Sequence, residues 1–327
     1  MNKRLHISLG AGLAAALLVA APHGAAQSAV AYPTKPVRLI VASGAGGGLD
    51  FVARQIAVPL SEALGQTVVV DNRAGASGSI AAEVSSQAAP DGYTLMFLSA
   101  SLVVYGIVNK TRYDLFRDFA PVTQAAAAPY MLTVHPGLPV STVKELIAYA
   151  KANPAKLNFA STGNASLAHL AGELFGITTG TQLVHIPYKG VGAGLTDMLS
   201  GRVQMSFLSA GSVYAQVRTQ KLKAIAIAST TRAKMAPDLP TMIEAGVPGF
   251  VVTQWHGMLA PRGTPKSVIE RLHREIVKAV QRPEVAARLA LDGTEGIASS
   301  PQDFAAHLRS EREQWAKVAK QANIRGD

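Results

Sequence analysis

Residues 37–48 place the first constraint on this chain. Val37–Ala42 is a short apolar run, and Ser43-Gly44-Ala45-Gly46-Gly47-Gly48 follows it directly. From Leu49 onward the apolar residues Phe51, Val52, Ile56 and Leu60 recur at helical spacing until Gly65 closes the segment. A strand that runs through glycines into a helix places the helix's first free N–H groups at the carboxyl end of the strand, together with the positive end of its dipole. Such a junction fits a sheet with crossover helices and a site for an anion. Two nucleotide readings fail on the residues themselves. The dinucleotide fingerprint G-x-G-x-x-G, begun at Gly44 and Gly46, meets Leu49 where its third glycine belongs. A P-loop needs Lys and then Ser or Thr after its last glycine, and here Leu49 and Asp50 follow Gly48. Taken alone, the loop is either an anion site or a tight turn, with helix capping as the simplest role for Asp50.

The alternation continues along the chain. Val37–Ala42, Thr67–Val70, Thr94–Leu98 and Tyr130–Val134 read as strands. Leu49–Leu64 and Ser79–Ala88 read as helices between the first three, the second stopped before Pro90-Asp91-Gly92. This βαβαβ order predicts a doubly wound α/β sheet. In the next block Thr142-Val143-Lys144-Glu145 is a capping box for a helix reaching Ala152. Leu157–Ser161, Val184–Pro187, Val203–Leu208 and Leu222–Ala228 read as strands, Ser166–Phe175 and Val191–Leu199 as helices, and Thr253–Leu259 as extended. The remainder reads as helical. Val268, Ile269, Leu272, Ile276 and Val280 share one face, and Phe304, Leu308, Trp315, Val318 and Ala322 share another. Glu311, Arg312 and Glu313 are assigned to a solvated side. The 327 residues allow roughly two domains, and two α/β blocks with a helical tail predict two lobes with a ligand cleft between them.

The N-terminus predicts export. Lys3 and Arg4 precede the apolar run Ile7–Ala21, and the small-residue sites Gly24-Ala25-Ala26 and Ala29-Val30-Ala31 follow. The run is shorter than the about 20 residues that a spanning helix needs. It reads as a signal peptide cleaved after Ala26 or Ala31, which makes the mature chain a soluble periplasmic protein.

Composition narrows the chemistry. There is no cysteine, so disulfides, thiolate metal sites, a cysteine nucleophile and a lipidated cysteine are excluded. None of the eight histidines stands in H-x-x-H or H-E-x-x-H spacing, and no metal is expected. Gly75-Ala76-Ser77-Gly78-Ser79 fails the G-x-S-x-G elbow at its last position, and no catalytic residue or cofactor is assigned. The net charge is +10, but the lysines and arginines are scattered. That pattern argues against nucleic acid and fits simple solubility or weak steering of small anions.

A second loop repeats the plan of the first. The strand Leu157–Ser161 ends in Thr162-Gly163-Asn164-Ala165-Ser166, and a helix begins there with His169 in its first turn. Ser166 is suited to cap that helix. Two such loops, one in each lobe, could hold a carboxylate between two helix N-termini.

Many ordered motifs carry a family resemblance over essentially all of the mature chain. They include Tyr32-Pro33, Pro36-Val37-Arg38-Leu39-Ile40-Val41, Gly46-Gly47-Gly48-Leu49-Asp50 and Asp71-Asn72-Arg73-Ala74-Gly75-Ala76. Further along come Ala89-Pro90-Asp91-Gly92-Tyr93-Thr94-Leu95, Asp118-Phe119-Ala120-Pro121-Val122 and His169-Leu170-Ala171-Gly172-Glu173-Leu174-Phe175. His185-Ile186-Pro187-Tyr188-Lys189-Gly190, Asp238-Leu239-Pro240-Thr241 and Leu259-Ala260-Pro261-Arg262-Gly263-Thr264-Pro265 complete the set. The chain resembles the Bug-type periplasmic solute-binding receptors of the tripartite tricarboxylate transporter family.

The resemblance implies an α/β, two-lobed, type II periplasmic-binding-protein (Venus-flytrap) fold with an inter-lobe cleft. Residues 1–26 would be the signal peptide, 27–129 plus 253–327 one lobe, and 130–252 the other. A small carboxylate would sit between the two loops. The positions that match are Ser43, Gly46, Gly47 and Gly48 in the first lobe and Thr162, Asn164, Ser166 and His169 in the second, with Leu49, Ser99, Ser101 and Leu208 as further candidate ligand-binding residues. The implied partners are that ligand and the large and small permease subunits, with the receptor itself a monomer. An orphan receptor feeding a sensor kinase, or an enzyme on the same fold, are the other readings. Departures from the family pattern bear on the ligand. Leu49 stands where Thr is usual, and Phe207-Leu208-Ser209 stands where many members have Phe-Asp-Asn, so the acid that could hold an amino-acid ammonium is missing. The loop Ser99–Tyr105 lacks the family's common His. Leu49, Leu102, Tyr105 and Leu208 predict an apolar pocket, hence an aromatic or otherwise apolar-bodied acid. Lys189 and Arg202 are cations that could meet a second carboxylate, with surface solvation the plainer role for each.

Overall fold

The apolar run after Pro36 forms strand β1 (Val37–Val41) in a computed structural model that describes residues 32–291 and 293–326. The glycines end the strand, and helix α1 (Gly48–Leu64) starts on them. Its buried face carries Leu49, Val52, Ile56 and Leu60, and Gly65, in the left-handed region at φ 66, closes it. Then come β2 (Val68–Asn72), α2 (Ser79–Ser86), β3 (Thr94–Ser99) and α3 (Ala100–Val108). β1 lies between β2 and β3 and is parallel to both, as crossover connections through helices require. The 16-residue strand β4 (Phe119–Val134) follows.

The second block repeats this plan. It comprises α4 (Val143–Ala152), β5 (Leu157–Ser161), α5 (Leu167–Thr179), β6 (Leu183–Pro187), α6 (Val191–Leu199), β7 (Met205–Ser209), α7 (Ala210–Arg218) and β8 (Lys223–Ile227). β5 lies between β6 and β7, again parallel to both. The chain returns through β9 (Thr253–Pro261) and ends with α8 (Lys266–Gln281), α9 (Pro283–Leu291), the short β10 (Glu295–Gly296) and α10 (Pro301–Gln321).

One strand order joins the blocks: β2-β1-β3-β9-β4-β7-β5-β6, with β8 and β10 also paired to β4. The amino half of β4 pairs antiparallel with β9 (Phe119↔Pro261 to Pro129↔Thr253), and its carboxyl half with β7 and β8 (Tyr130↔Ser209, Met131↔Ile227). β4 therefore serves both halves of the sheet, and the halves share one plan: a parallel triplet finished by antiparallel strands. All four triplet strands that lead into site loops or helices, β1, β3, β5 and β7, deliver their carboxyl ends to helix N-termini. That is where open α/β sheets place ligands.

Several expectations are corrected. Ser99–Tyr105, read as a loop, is the N-cap and first part of α3. The expected strand Tyr130–Val134 is the last third of β4, whose earlier part runs through the Ala125–Ala128 tract. α7 was not read from sequence at all. Glu311, assigned to solvent, is buried, and its Oε2 accepts the indole N–H groups of Trp255 and Trp315, both at 3.0 Å. The signal-peptide expectation concerns residues outside the described ones. Among the described residues no helix is long and apolar enough to cross a membrane.

Candidate functional site

The loop after β1 is held from below by one buried carboxylate. Asp50 is 3% exposed, in the first turn of α1. It is not the N-cap, which is Gly47 and has no side chain to offer. Asp50 instead turns back on the loop. Its Oδ2 accepts the Gly46 N–H at 2.8 Å, its Oδ1 accepts Asn72 Nδ2 at 2.9 Å, and Arg54 Nε lies 3.0 Å from both oxygens. Asn72, at the end of β2 and beside Val41 in register, also donates to the Ser43 carbonyl at 3.2 Å. Burial works against the Asp50 charge, yet Arg54, the Gly46 N–H and Asn72 together hold its carboxyl below the ordinary carboxylate range. Gly46 adopts φ 81, open to glycine and strained for other residues. Gly78, at φ 97, brings the following loop so close to Ala42 that a Cβ would stand 2.8 Å from the alanine's own. Gly44 through Gly48 are exposed, and the uncapped start of α1 opens among them.

The loop after β5 is held by side chains of its own half. Ser166 caps α5, its Oγ accepting the His169 N–H at 3.2 Å. His169 is 6% exposed, and its Nδ1 accepts the Ala165 N–H at 3.1 Å while its Nε2 lies 3.6 Å from Glu173 Oε1. The His169 ring stacks on His185 of β6, with centroids 3.5 Å apart and planes 8° from parallel. His185 Nε2 lies 2.6 Å from Ser161 Oγ, which accepts the Gly163 N–H at 3.2 Å. Burial, and behind it the charge of a protonated His169, push His185 down to about 4, against a weaker upward pull from Glu173. Thr162, Gly163 and Ser166 are half-buried and Asn164 is exposed.

Two further helix starts complete the set. Ser99 and Ser209 are the N-caps of α3 and α7, and neither side chain caps its helix; Ser209 Oγ pairs with Ser212 Oγ at 2.7 Å. In register Ser99 lies opposite His256, and Ser209 opposite Tyr130. The two helix starts therefore flank the strands that join the halves. α3 also packs against α5, which brings the helix of Ser99 and Ser101 to the helix of His169.

The expected residues thus fall into two groups. Ser43 and Gly46–Leu49 gather at the start of α1, and Thr162, Asn164, Ser166 and His169 at the start of α5. No hydrogen bond or ion pair among them crosses from one loop to the other. Leu49, Leu208 and Leu102 are 7%, 3% and 0% exposed. They belong to the core and offer a ligand little wall, so they do not support the apolar pocket drawn from sequence. Tyr105 is half-buried. Arg202 pairs with Asp197 at 3.3 Å, and Lys189 is exposed. Sequence reasoning missed Arg54, one helical turn from Asp50, and His185, which reaches the second loop only through the fold, whereas Ser161 was among the polar groups read in that loop. Asn72 and His185 did stand within the quoted motifs, but with no role attached.

A continuous sheet in two halves of like plan, with helix N-termini at the strand ends beside the connecting strands, defines a two-lobed periplasmic-binding-protein fold with a cleft between the lobes. The chain belongs to the tripartite tricarboxylate transporter family receptors, whose family model matches residues 52–324. Protein BugT of Bordetella pertussis is 36% identical over 301 residues, covering 91% of this chain and 92% of BugT. Two solved structures are similar. Rpa4515 of R. palustris with adipate has a TM-score of 0.78 at 35% identity, covering 90% of this chain and 99% of that one. MatC (Rpa3494) of Rhodopseudomonas palustris with bound malate has a TM-score of 0.73 at 30% identity, covering 88% and 99%.

Proposed function

We propose that this protein is a periplasmic receptor that captures a small carboxylate between its lobes and delivers it to a tripartite tricarboxylate-type permease, without catalysing a reaction. The lobes are 27–129 plus 253–327 and 130–252. One observation carries the reading. In a chain of this receptor family, α1 begins in an exposed glycine loop without a side-chain cap, while Asp50 anchors that loop from beneath. The first N–H groups of the helix are left to meet a carboxylate from the cleft. The start of α5 supplies the opposing set of donors. Phe207-Leu208-Ser209 carries no acid for an ammonium, which favours simple carboxylates over amino acids. The adipate and malate held by the similar proteins support the same class. Adipate, whose body is a chain of methylenes, is the first ligand to try.

The test is calorimetry and thermal melting with adipate, malate and aromatic monocarboxylates. Adipate at about 100 times its dissociation constant is expected to add roughly 2.7 kcal/mol of stability. Gly47 has extended backbone (φ −79, ψ 166), and a Cβ there would stand 3.6 Å from the Gly44 carbonyl, an ordinary contact. Gly47→Val is therefore expected to fold normally and to lose binding, because its methyl groups crowd the helix start. Unchanged affinity in that variant, preference for aspartate over all simple acids, or turnover of any acid at catalytic protein concentration would overturn the reading.

A further inference from the structure

The stacked histidines lie beneath the second loop, and the hydrogen bond that His169 accepts is one that only its neutral ring can make. His169 Nδ1 receives the Ala165 N–H at 3.1 Å, so that nitrogen carries no proton and its lone pair fixes the loop backbone. The remaining ring proton is then on Nε2, facing Glu173 at 3.6 Å. His185, stacked at 3.5 Å, reaches the same loop through Ser161 Oγ, which is bonded to both the N–H and the carbonyl of Gly163. On its far side His185 lies over Phe159, with ring centroids 5.0 Å apart. The two rings thus hold the loop at Gly163 and Ala165, on either side of Asn164.

We propose that the His169–His185 stack is a proton-controlled latch that positions the Gly163–Ala165 backbone for ligand and loosens it when His169 takes a proton on Nδ1. A proton on His169 Nδ1 sets two donors, Nδ1–H and the Ala165 N–H, against each other. Burial and the charge of a protonated His169 keep His185 neutral down to about 4, so a second proton, which would stack two like charges at 3.5 Å, is not what moves the loop above that pH. Glu173, at the outer side of His169, is the charged group that faces the stack; it offsets one positive charge and not two. Ser161 and Phe159 from β5 contribute no charge. Both histidines are positioning residues, acting on the ligand through the loop. The proposal rests on the carboxylate-receptor reading for its biological sense, and the latch itself concerns the loop alone.

The test therefore begins without ligand. Amide hydrogen exchange at Gly163 and Ala165, corrected for the intrinsic pH dependence, is measured from pH 7.5 to 4.5, together with the imidazole nitrogen shifts. The wild type is expected to show His169 as the Nε2–H tautomer at pH 7.5 and to lose about tenfold or more in Ala165 protection on acidification. His169→Gln keeps a side-chain acceptor for the Ala165 N–H and cannot titrate, so its protection is expected to stay flat with pH. His169→Phe keeps a stacking ring without an acceptor, so Ala165 is expected to be unprotected throughout. Wild-type protection that does not change with pH, or unchanged protection in His169→Phe, overturns the latch. Adipate affinity is then followed over the same range. It is expected to weaken in acid more steeply in the wild type than in His169→Gln, where only the protonation of adipate itself acts. Equal weakening in both overturns the link to the ligand. If the wild type binds no adipate at any pH, the proposed ligand class loses its support, while the exchange data still decide the latch.

Discussion

His256 sits on β9 opposite Ser99, 5% exposed, with its Nδ1 lacking any hydrogen-bond partner. Burial pushes it down to about 4, so it is neutral in the folded protein at ordinary pH. The unfolded chain takes up the proton first, near 6.5, so the contribution of His256 to folding stability is constant above that value and falls as the pH drops from 6.5 toward 4. For one such group the loss reaches up to about 3 kcal/mol. His185 acts in the same direction over the same window. Urea titrations of the wild type and His256→Phe at several pH values separate the two. The variant is expected to lose less stability on acidification, because only His185 and the groups common to both proteins still respond. Parallel curves would show that His256 takes up its proton without cost. At this scale the candidate site was half legible. The donors in the two loops could be read because glycine, serine and threonine between a strand and a helix have a physical meaning by themselves. Asp50 could be read only as a generic cap. Of its partners, Gly46 and Arg54 lie four residues to either side, while Asn72 is brought to it by the parallel pairing of β1 with β2. Nothing local signals that His185 lies on His169, because strand register sets that contact.

At the scale of elements, local signals and tertiary pairing divide the work. Gly65 and Pro90-Asp91-Gly92 punctuate the chain, and α1 and β3 begin or end within a residue or two of where those signals put them. The amino part of β4 was hidden because Ala125–Ala128 has low strand preference and Pro121 and Pro129 interrupt the run. It is a strand because β9 and β10 pair with it. α3 was hidden for the converse reason: its β-branched residues Val103, Val104, Ile107 and Val108 disfavour a helix, and burial against neighbouring elements overrides them. α10 was legible as a helix, but one face was misjudged. Glu311 stands four residues before Trp315, which places both on the buried side. The Trp255 and Trp315 N–H groups share its Oε2, so Glu311→Ala leaves two buried donors unpaired. Each is worth about 1–3 kcal/mol, so a loss of roughly 2–6 kcal/mol in chemical denaturation is expected. Glu311→Gln keeps an acceptor and is expected to retain most of the difference. Equal losses in both variants would show that the charge, and not the acceptor, is what α10 requires.

At the scale of the molecule, the two halves are bound through one strand that serves both. β4 pairs with β9 over its first part and with β7 and β8 over its last, and the crossing from one set to the other falls between Pro129 and Tyr130. Separate lobes on a flexible linker melt separately, because each has its own core and few contacts join them. Here, unfolding either half would strip β4 of partners on one side and expose backbone groups that the other half needs paired. The molecule is therefore expected to unfold in one cooperative transition despite its two lobes. Differential scanning calorimetry measures this directly: the calorimetric and van't Hoff enthalpies are expected to agree, as two-state behaviour requires. A carboxylate bound between the lobes would then shift the whole peak to higher temperature without splitting it. Two resolved transitions, with ligand moving only one, would show that β4 is a hinge that can part and that each half stands by itself.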